Sequence, residues 1–239
     1  MGLETGTGIG DLVPANPLST DAVSSGDDHI RLIKTVMQSI TFLKSIQSFA
    51  ASGTWTRPTN VKRVLVYCQG GGGGGNGGVN AGFAGGGGSS GAIAVKWIDV
   101  SAISSATVTV GTGGAGGTAN GGLGGNGTST TFVSAGPVTH CLAHFGFAGS
   151  ATQFPGLVDP ASNSIGDIIF TGSYGVIGTY PYPGAANPGG QGGGHGGYST
   201  GPAMAQSGGG GGGGHAEPST STAGGAGGSG YCFVMEFGW

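Results

Sequence analysis

Residues 61–78 read VKRVLVYCQGGGGGGNGG. The first half is rich in β-branched and aromatic residues, with apolar side chains on both faces, and this predicts a strand over Val61–Gln69. The second half begins without a break and is almost pure glycine. Every ordered glycine costs conformational entropy. The junction therefore predicts a tract whose geometry only glycine allows.

Glycine supplies 60 of the 239 residues, and two geometries explain such an excess. One is a set of tight turns with positive φ at Asn-Gly steps; the other is extended helices of the polyproline-II type, packed through bare Cα atoms. A flexible linker is disfavoured, because strands bracket the tracts. The glycine tracts are 70–78, 85–91, 111–127, 189–197, 208–214 and 224–230, and the Asn-Gly steps are Asn76-Gly77, Asn120-Gly121 and Asn126-Gly127.

Further strand-like blocks follow the first one. They predict a mainly β fold: a glycine-rich, β-sandwich-like domain over residues 49–239, with ordered glycine-rich loops or polyglycine-type helices. The blocks are Ala92 to Val100, Ala106 to Val110, Thr128 to Val133, Thr139 to Phe145, Ile165 to Thr171 and Tyr231 to Phe237.

The N-terminal part has a different character. Glycines and prolines keep residues 1–26 irregular, whereas residues 27–48 predict a helix with a narrow apolar seam. That seam favours a short parallel coiled coil; the alternative is a helix packed on its own domain. The seam residues are Ile30, Ile33, Met37 and Ile40, continued after a phase slip by Leu43 and Ile46.

Composition and charge exclude several classes of protein. Charged residues are only 7% of the chain and Gly-X-Y periodicity is missing, which excludes collagen and charge-rich disorder. All seven Lys and Arg residues precede residue 97, so the second half is a poor surface for nucleic acid. No apolar run is long enough to predict a membrane span or the core of a signal peptide.

The residues that carry chemistry form no catalytic or cofactor-binding pattern, so the sequence predicts neither an enzyme nor a metal or cofactor site. His140 and His144 lie in a strand-like block without the Glu of a zinc helix. Three cysteines fit no metal spacing, which predicts free, buried thiols and synthesis in a reducing cytosol. Cys68 and Cys232 lie in strand-like blocks and are expected to be close; a disulfide between them is the alternative.

Two stretches resemble bacteriophage sequences. The first combines GLETGT (2–7), LVPANP (12–17) and SGDDHIRLIK (25–34), and it resembles the N-terminal attachment segment of tail-fibre and tail-appendage proteins. The second runs from SGTWT (52–56) through the quoted stretch to YCFVMEF (231–237). It is similar to the glycine-rich domain at the tips of phage fibres, where a β scaffold presents glycine-rich loops and the first and last strands are neighbours.

The resemblance implies a tail-fibre or tail-tip adhesin of the virion. In that arrangement residues 1–26, including Leu3, Glu4 and Leu12, would attach to other tail proteins, the helix would join three copies, and the glycine-rich domain would contact the host. A purely structural tail component is the alternative. Only about ten residues separate the helix from the domain, which indicates a short tip protein.

The missing basic residues restrict what such a domain can recognise. Aromatic rings, backbone amides and hydroxyls remain, and they suit surface polysaccharide or a pilus or outer-membrane protein. The stretch from Tyr174 to Pro188 is the first candidate, because its tyrosines offer rigid contacts between prolines. Packing of those rings on glycine faces is the alternative. The candidate residues are Tyr174, Tyr180, Tyr182, His195 and Tyr198.

Overall fold

The structure is a computed structural model that describes residues 30–37, 42–79, 84–149, 163–175, 208–209, 211, 214 and 221–238. Its described part contains a short helix over residues 30–37 and nine strands. The proposed attachment segment lies outside the described residues. So do several individually predicted residues: Leu3, Glu4, Leu12, Ile40, Tyr180, Tyr182, His195 and Tyr198.

The strands form two antiparallel sheets that pack as a sandwich. Sheet A has five strands in the order β1-β9-β3-β4-β8, and sheet B has four in the order β2-β5-β6-β7. The strands are β1 (Phe42–Phe49), β2 (Gly53–Thr56), β3 (Val61–Gln69), β4 (Ile93–Asp99), β5 (Ser105–Thr109), β6 (Thr130–Ser134), β7 (Val138–Ala143), β8 (Ile168–Phe170) and β9 (Tyr231–Gly238).

The structure confirms the predicted mainly β fold and corrects its edges. β3 has the predicted bounds, and it pairs with β9, as the resemblance implied. Two strands were missed, β1 and β2. The helix predicted to reach residue 48 is wrong in its second half, because Leu43 and Ile46 lie on β1. Residues 42–49 form a strand because pairing with β9 supplies backbone hydrogen bonds, and this tertiary pairing outweighs the helical spacing of their apolar residues.

Period-two alternation builds the sandwich core. Val64, Val66 and Cys68 on β3 are fully buried between the sheets, while the residues between them face outward. On the inner face of sheet B, Trp55 of β2 packs against Phe132 of β6 with ring centroids 5.5 Å apart, and both side chains are fully buried. Apolar side chains from strands of both sheets therefore fill one continuous core.

Beyond β3 the chain continues as a straight glycine segment, residues 70–78, at the centre of a bundle. Its N–H groups point in three directions in strict rotation: Gly71, Gly74 and Gly77 donate to one neighbouring segment, and the residues between them donate to two others. A three-residue repeat without internal hydrogen bonds is that of a polyglycine helix, which has about three residues per turn. The tract is therefore ordered, and of the two predicted geometries it takes the helical one.

Six segments surround the central one and form a closed ring, each bonded to the centre. Three run antiparallel and accept its N–H groups; three run parallel and donate to its carbonyls. The two directions alternate around the ring, and neighbouring ring segments bond to one another as well. In ring order the segments are 84–92, the described residues Gly208, Gly209, Gly211 and Gly214, 222–230, 111–118, 122–128 and 144–149. Together with residues 70–78 they are here called the polyglycine bundle.

A bundle segment contains more glycine when neighbouring segments cover more of its faces. The central segment has neighbours on every side, and a Cβ on Gly74 would overlap the carbonyl oxygen of Ala115. Segment 111–118 has one free face, and the side chains of Thr112, Ala115 and Thr118, three residues apart, are exposed on it. The pattern Gly-Gly-x is thus the sequence signature of a ring position. It recurs in 223–230, where the non-glycine residues are Ala223, Ala226 and Ser229.

The Asn-Gly steps divide between two uses. Asn120 and Gly121 have φ of 63° and 80° and form a tight turn, as predicted. The turns predicted at Asn76-Gly77 and Asn126-Gly127 are wrong, because both steps lie inside straight segments of the bundle. There the asparagine side chains tie segments together: Oδ1 of Asn76 accepts from the N–H of Gly124 at 2.7 Å, and Oδ1 of Asn126 accepts from that of Ala148 at 2.9 Å.

Candidate functional site

The molecule has two distinct ends, because strands of the sandwich run directly into segments of the bundle. β9 leaves the bundle at Gly230, and its far end, Gly238, pairs with Phe42. The chain that precedes β1 therefore enters at the end of the sandwich away from the bundle. This end is here called the base, and the opposite end of the bundle is called the loop end.

One described turn between bundle segments lies at the loop end. The central segment reaches this end at Gly78, where the N–H of Gly121 donates to the carbonyl of Gly78, and Gly214 lies level with Asn76. Segments 144–149 and 171–175 also run toward it, since the carbonyl of Gly74 accepts from Gly149 and Gly175 lies beside Gly87. The turn of residues 118–122 thus belongs to this end of the domain.

One described contact organises the loop end. The backbone N–H of Asn120 donates to Oγ of Ser221 at 3.0 Å, and that hydroxyl donates to Oδ1 of Asn120 at 2.9 Å. The pair locks the 118–122 turn to the start of the segment leading to β9. A rigid platform of short polar side chains and glycine backbone results, which suits hydrogen bonding to a neutral surface.

The Lys and Arg side chains are unevenly distributed between the base and the bundle. Arg57, Lys62 and Arg63 lie near the base, where Arg57 donates to the carbonyls of Val100 at 2.6 Å and Ser101 at 2.5 Å. After Lys96 the sequence has no Lys or Arg. The bundle segments that follow therefore carry no Lys or Arg, the residues that most often bind phosphate.

Of the predicted binding residues, the structure describes Tyr174. Its side chain is 54% exposed. It belongs to segment 171–175, which lies outside the ring and against segment 84–92, where the N–H of Ser90 donates to the carbonyl of Ser173 at 3.1 Å. Tyr174 therefore lies on the flank of the bundle, with about half of its side chain exposed.

The predicted thiols are buried and free. Cys68 and Cys232 are direct partners on neighbouring strands, as expected, with their Sγ atoms 3.6 Å apart. Hydrogen bonds with Cys141 and Cys232, together with burial, raise the pKa of the Cys68 thiol well above its usual range. A protonated thiol is a weak nucleophile, so the cluster contributes packing.

Sequence reasoning missed one buried carboxylate. Glu236 is fully buried at the base side of the core. It accepts from Trp55 Nε1 at 2.7 Å, from Gln47 Nε2 at 2.6 Å, and from the hydroxyl of Ser45. The alternation of β9, which buries every second residue, was the available signal. These donors join β1, β2 and β9, so Glu236 is a structural group.

Two further observations concern metal binding and membrane insertion. Within the described residues, no group of three or more His, Cys, Asp or Glu side chains is arranged to hold a metal ion. The one described helix is too short to cross a membrane.

Comparison with known proteins agrees with this architecture. No curated protein sequence matches the chain. A family model described as a glycine-rich domain matches residues 47–235, from within β1 to β9. Since that match covers most of the chain, the protein belongs to the glycine-rich domain family.

Proposed function

We propose that this protein is a phage tail-tip component that attaches the virion to the surface of its host. The observation that carries the proposal is the polarity of the domain. β1 begins at the base, where the phage-like N-terminal segment would connect to the tail, and the turn of residues 118–122 lies at the opposite end.

The build of the bundle supports an adhesive role. Backbone hydrogen bonds hold its segments without side chains, so the connecting residues are free to vary while the scaffold stays the same. Rigid presentation of variable loops is how recognition surfaces reach affinity at low entropic cost. The candidate partners are a surface polysaccharide or a pilus or outer-membrane protein, because the sequence after Lys96 has no Lys or Arg for phosphate.

The test uses the full chain and its buried thiols. Thr118→Cys places an exposed thiol at the loop end, and Ala135→Cys places one in the β6–β7 turn at the base. Each variant is coupled to a bulky maleimide polymer, and binding to host cells and competition with phage adsorption are measured. We expect the label at 118 to weaken binding at least about tenfold, as steric loss of a hot spot would, and the label at 135 to leave it unchanged.

Two results would overturn the proposal. If the unlabelled chain neither bound host cells nor competed with phage, the chain would be a purely structural tail component. If both labelled variants bound like the unlabelled chain, the loop end would not be the contact surface.

A further inference from the structure

The outer face of sheet A carries an apolar surface at both edges of the sheet. At one edge, β1 presents Leu43 and Ile46, which pair with Phe237 and Met235 of β9 and so share their face. At the other edge, β8 presents Ile168 and Phe170. These four edge side chains are each between 51% and 57% exposed.

The middle of this face is a ladder of stacked rings. Tyr67 stacks on Phe233 with ring centroids 4.6 Å apart and on Tyr231 at 5.5 Å, and Trp97 packs against Phe237 at 4.9 Å. The rings are thus ordered before any partner arrives, so that binding them costs little side-chain entropy. Aromatic residues in this arrangement are typical of the centre of a protein–protein interface.

On the three central strands of the face, outward-facing charge is confined to one end. Arg63 and Asp99 lie opposite each other across β3 and β4 near the base. Between that pair and the bundle, the outward-facing positions of β9, β3 and β4 hold no Lys, Arg, Asp or Glu. Two copies of such a face meet without like-charge repulsion, whereas it offers a charged partner little to pair with.

The size of the face suits association. Five strands spaced about 4.8 Å apart, with about seven residues of about 3.4 Å each, cover about 500 Å² in projection. Side-chain relief brings the accessible surface near the roughly 800 Å² that one partner contributes to a stable complex. Monomers rarely leave a contiguous apolar patch of this extent uncovered without a function.

The helix before β1 adds a second apolar surface in the same stretch of chain. Its residues Ile30, Ile33 and Met37 are 51%, 42% and 58% exposed. Only residues 38–41 separate the helix from β1, so the helix lies close to the edge of the face. Association with another copy of the chain would cover both surfaces in one event.

We propose that the outer face of sheet A is a subunit interface, across which copies of this chain associate with one another. The homodimer and homotrimer interfaces of obligate assemblies are the most apolar class of interface, and this face matches that class in composition, flatness and lack of charge. The inference does not rest on the host-attachment proposal, because it concerns the opposite half of the domain.

The test is the mass of the full chain in solution, by sedimentation equilibrium. At about 100 µM, a dissociation constant of about 1 µM leaves little free chain, and we expect the mass of two or three copies. The double variant Ile168→Lys, Phe170→Lys should weaken association at least about tenfold. Ile46→Lys tests the opposite edge, in case the β8 variant fails to fold.

Controls use exposed apolar residues elsewhere. Leu123 on the bundle and Val138 on sheet B are 65% and 51% exposed, and Leu123→Lys with Val138→Lys should leave the mass unchanged. Circular dichroism confirms that each variant is folded. A monomeric native chain would overturn the proposal. So would an oligomer that both face variants leave intact, or one dissociated by Ile30→Lys with Ile33→Lys but by neither face variant.

Discussion

Strand β3 and the central glycine segment are consecutive in the chain, but their surroundings are of opposite kinds. β3 is enclosed by side chains, and the side chains of Val64 and Val66 are fully buried in the core. Residues 70–78 are enclosed by backbone on all sides, with hydrogen bonds of 2.8–3.0 Å from each N–H. The sandwich is thus stabilised by the hydrophobic effect, and the bundle by backbone hydrogen bonds at close approach.

The sandwich and the bundle should differ in the substitutions that they tolerate. A core of side chains can shift rotamers to take up a volume change of a methylene or more. In the bundle, the atoms that face most glycine Cα atoms belong to another backbone, which is itself fixed by hydrogen bonds to its neighbours. Addition of one methyl group therefore forces two segments apart and breaks several hydrogen bonds at once.

The largest effect is expected from Gly74→Ala at the centre of the bundle. The new Cβ would overlap the carbonyl oxygen of Ala115, and no side chain can move to relieve the overlap. Overpacking of an ordinary core costs about 1–3 kcal/mol, so we expect the free energy of unfolding to fall by at least about 4 kcal/mol. Urea denaturation followed by circular dichroism measures the loss.

Gly53→Ala is the matched control, since it adds the same methyl group to β2. A Cβ at Gly53 would meet the ring of Phe49 at 3.5 Å, an ordinary van der Waals distance. We expect a change within about 1 kcal/mol, in either direction, because lower entropy of the unfolded chain offsets the small crowding. Equal losses for the two variants would contradict the difference between bundle and sandwich.

A smaller effect is expected where the sandwich itself holds a polar group. Glu236→Ala removes the acceptor for Trp55, Gln47 and Ser45. Buried donors without partners cost about 1–3 kcal/mol, so the variant should lose about 3 kcal/mol including the cavity. The measurement is again the urea midpoint and slope.

Glu236→Gln separates the hydrogen bonds from the charge. Its Oε1 can still accept from Trp55 and Gln47, and its amide can donate to the hydroxyl of Ser45, which accepts as well as donates. We expect a loss of less than about 1 kcal/mol. If Gln and Ala destabilised the protein equally, the carboxylate charge, not the geometry of the site, would be what the fold requires.

The sequence predicted the sandwich better than the bundle, for a physical reason. Apolar alternation is a property of single strands, so Val61–Gln69 and Tyr231–Gly238 could be found one at a time. A glycine at a ring position is explained only by the segments on either side of it. Gly-Gly-x spacing was present in 111–118 and 223–230, but its meaning depends on knowing that two faces are covered and one is free.

The two missed strands have different causes. β1 has apolar residues at Leu43 and Ile46, three apart, and this spacing suits a helix when read without the partner strand β9. β2 has only four residues and begins with Gly53, too short for a periodic signal. Of the candidate binding residues, Tyr174 was placed and found exposed. The position of the 118–122 turn at the loop end could not be predicted, because it follows from segment directions in the bundle.

The smallest expected effect tests a polar detail of sheet B. His140 on β7 is half-buried, its Nε2 lies 2.8 Å from Oγ of Ser134, and burial together with the charge of Lys96 lowers the pKa of its imidazole. The folded state therefore holds the ring neutral, while the unfolded chain takes up a proton near its ordinary pKa of about 6.5. Stability from this residue is complete above that pH and is lost as pH falls toward the lower folded pKa.

Native protein and His140→Gln, compared by urea denaturation at several values between pH 7.5 and pH 5, isolate this contribution. The carboxylates of Asp99 and Asp167, whose pKa values are lowered by hydrogen bonds, stay ionised throughout that range. We expect native stability to fall relative to the variant by less than about 1 kcal/mol, since the ring is partly exposed and solvent screens its interactions. Parallel pH profiles would mean that His140 has the same pKa in both states. The bond to Ser134 would then favour neither protonation state of the ring.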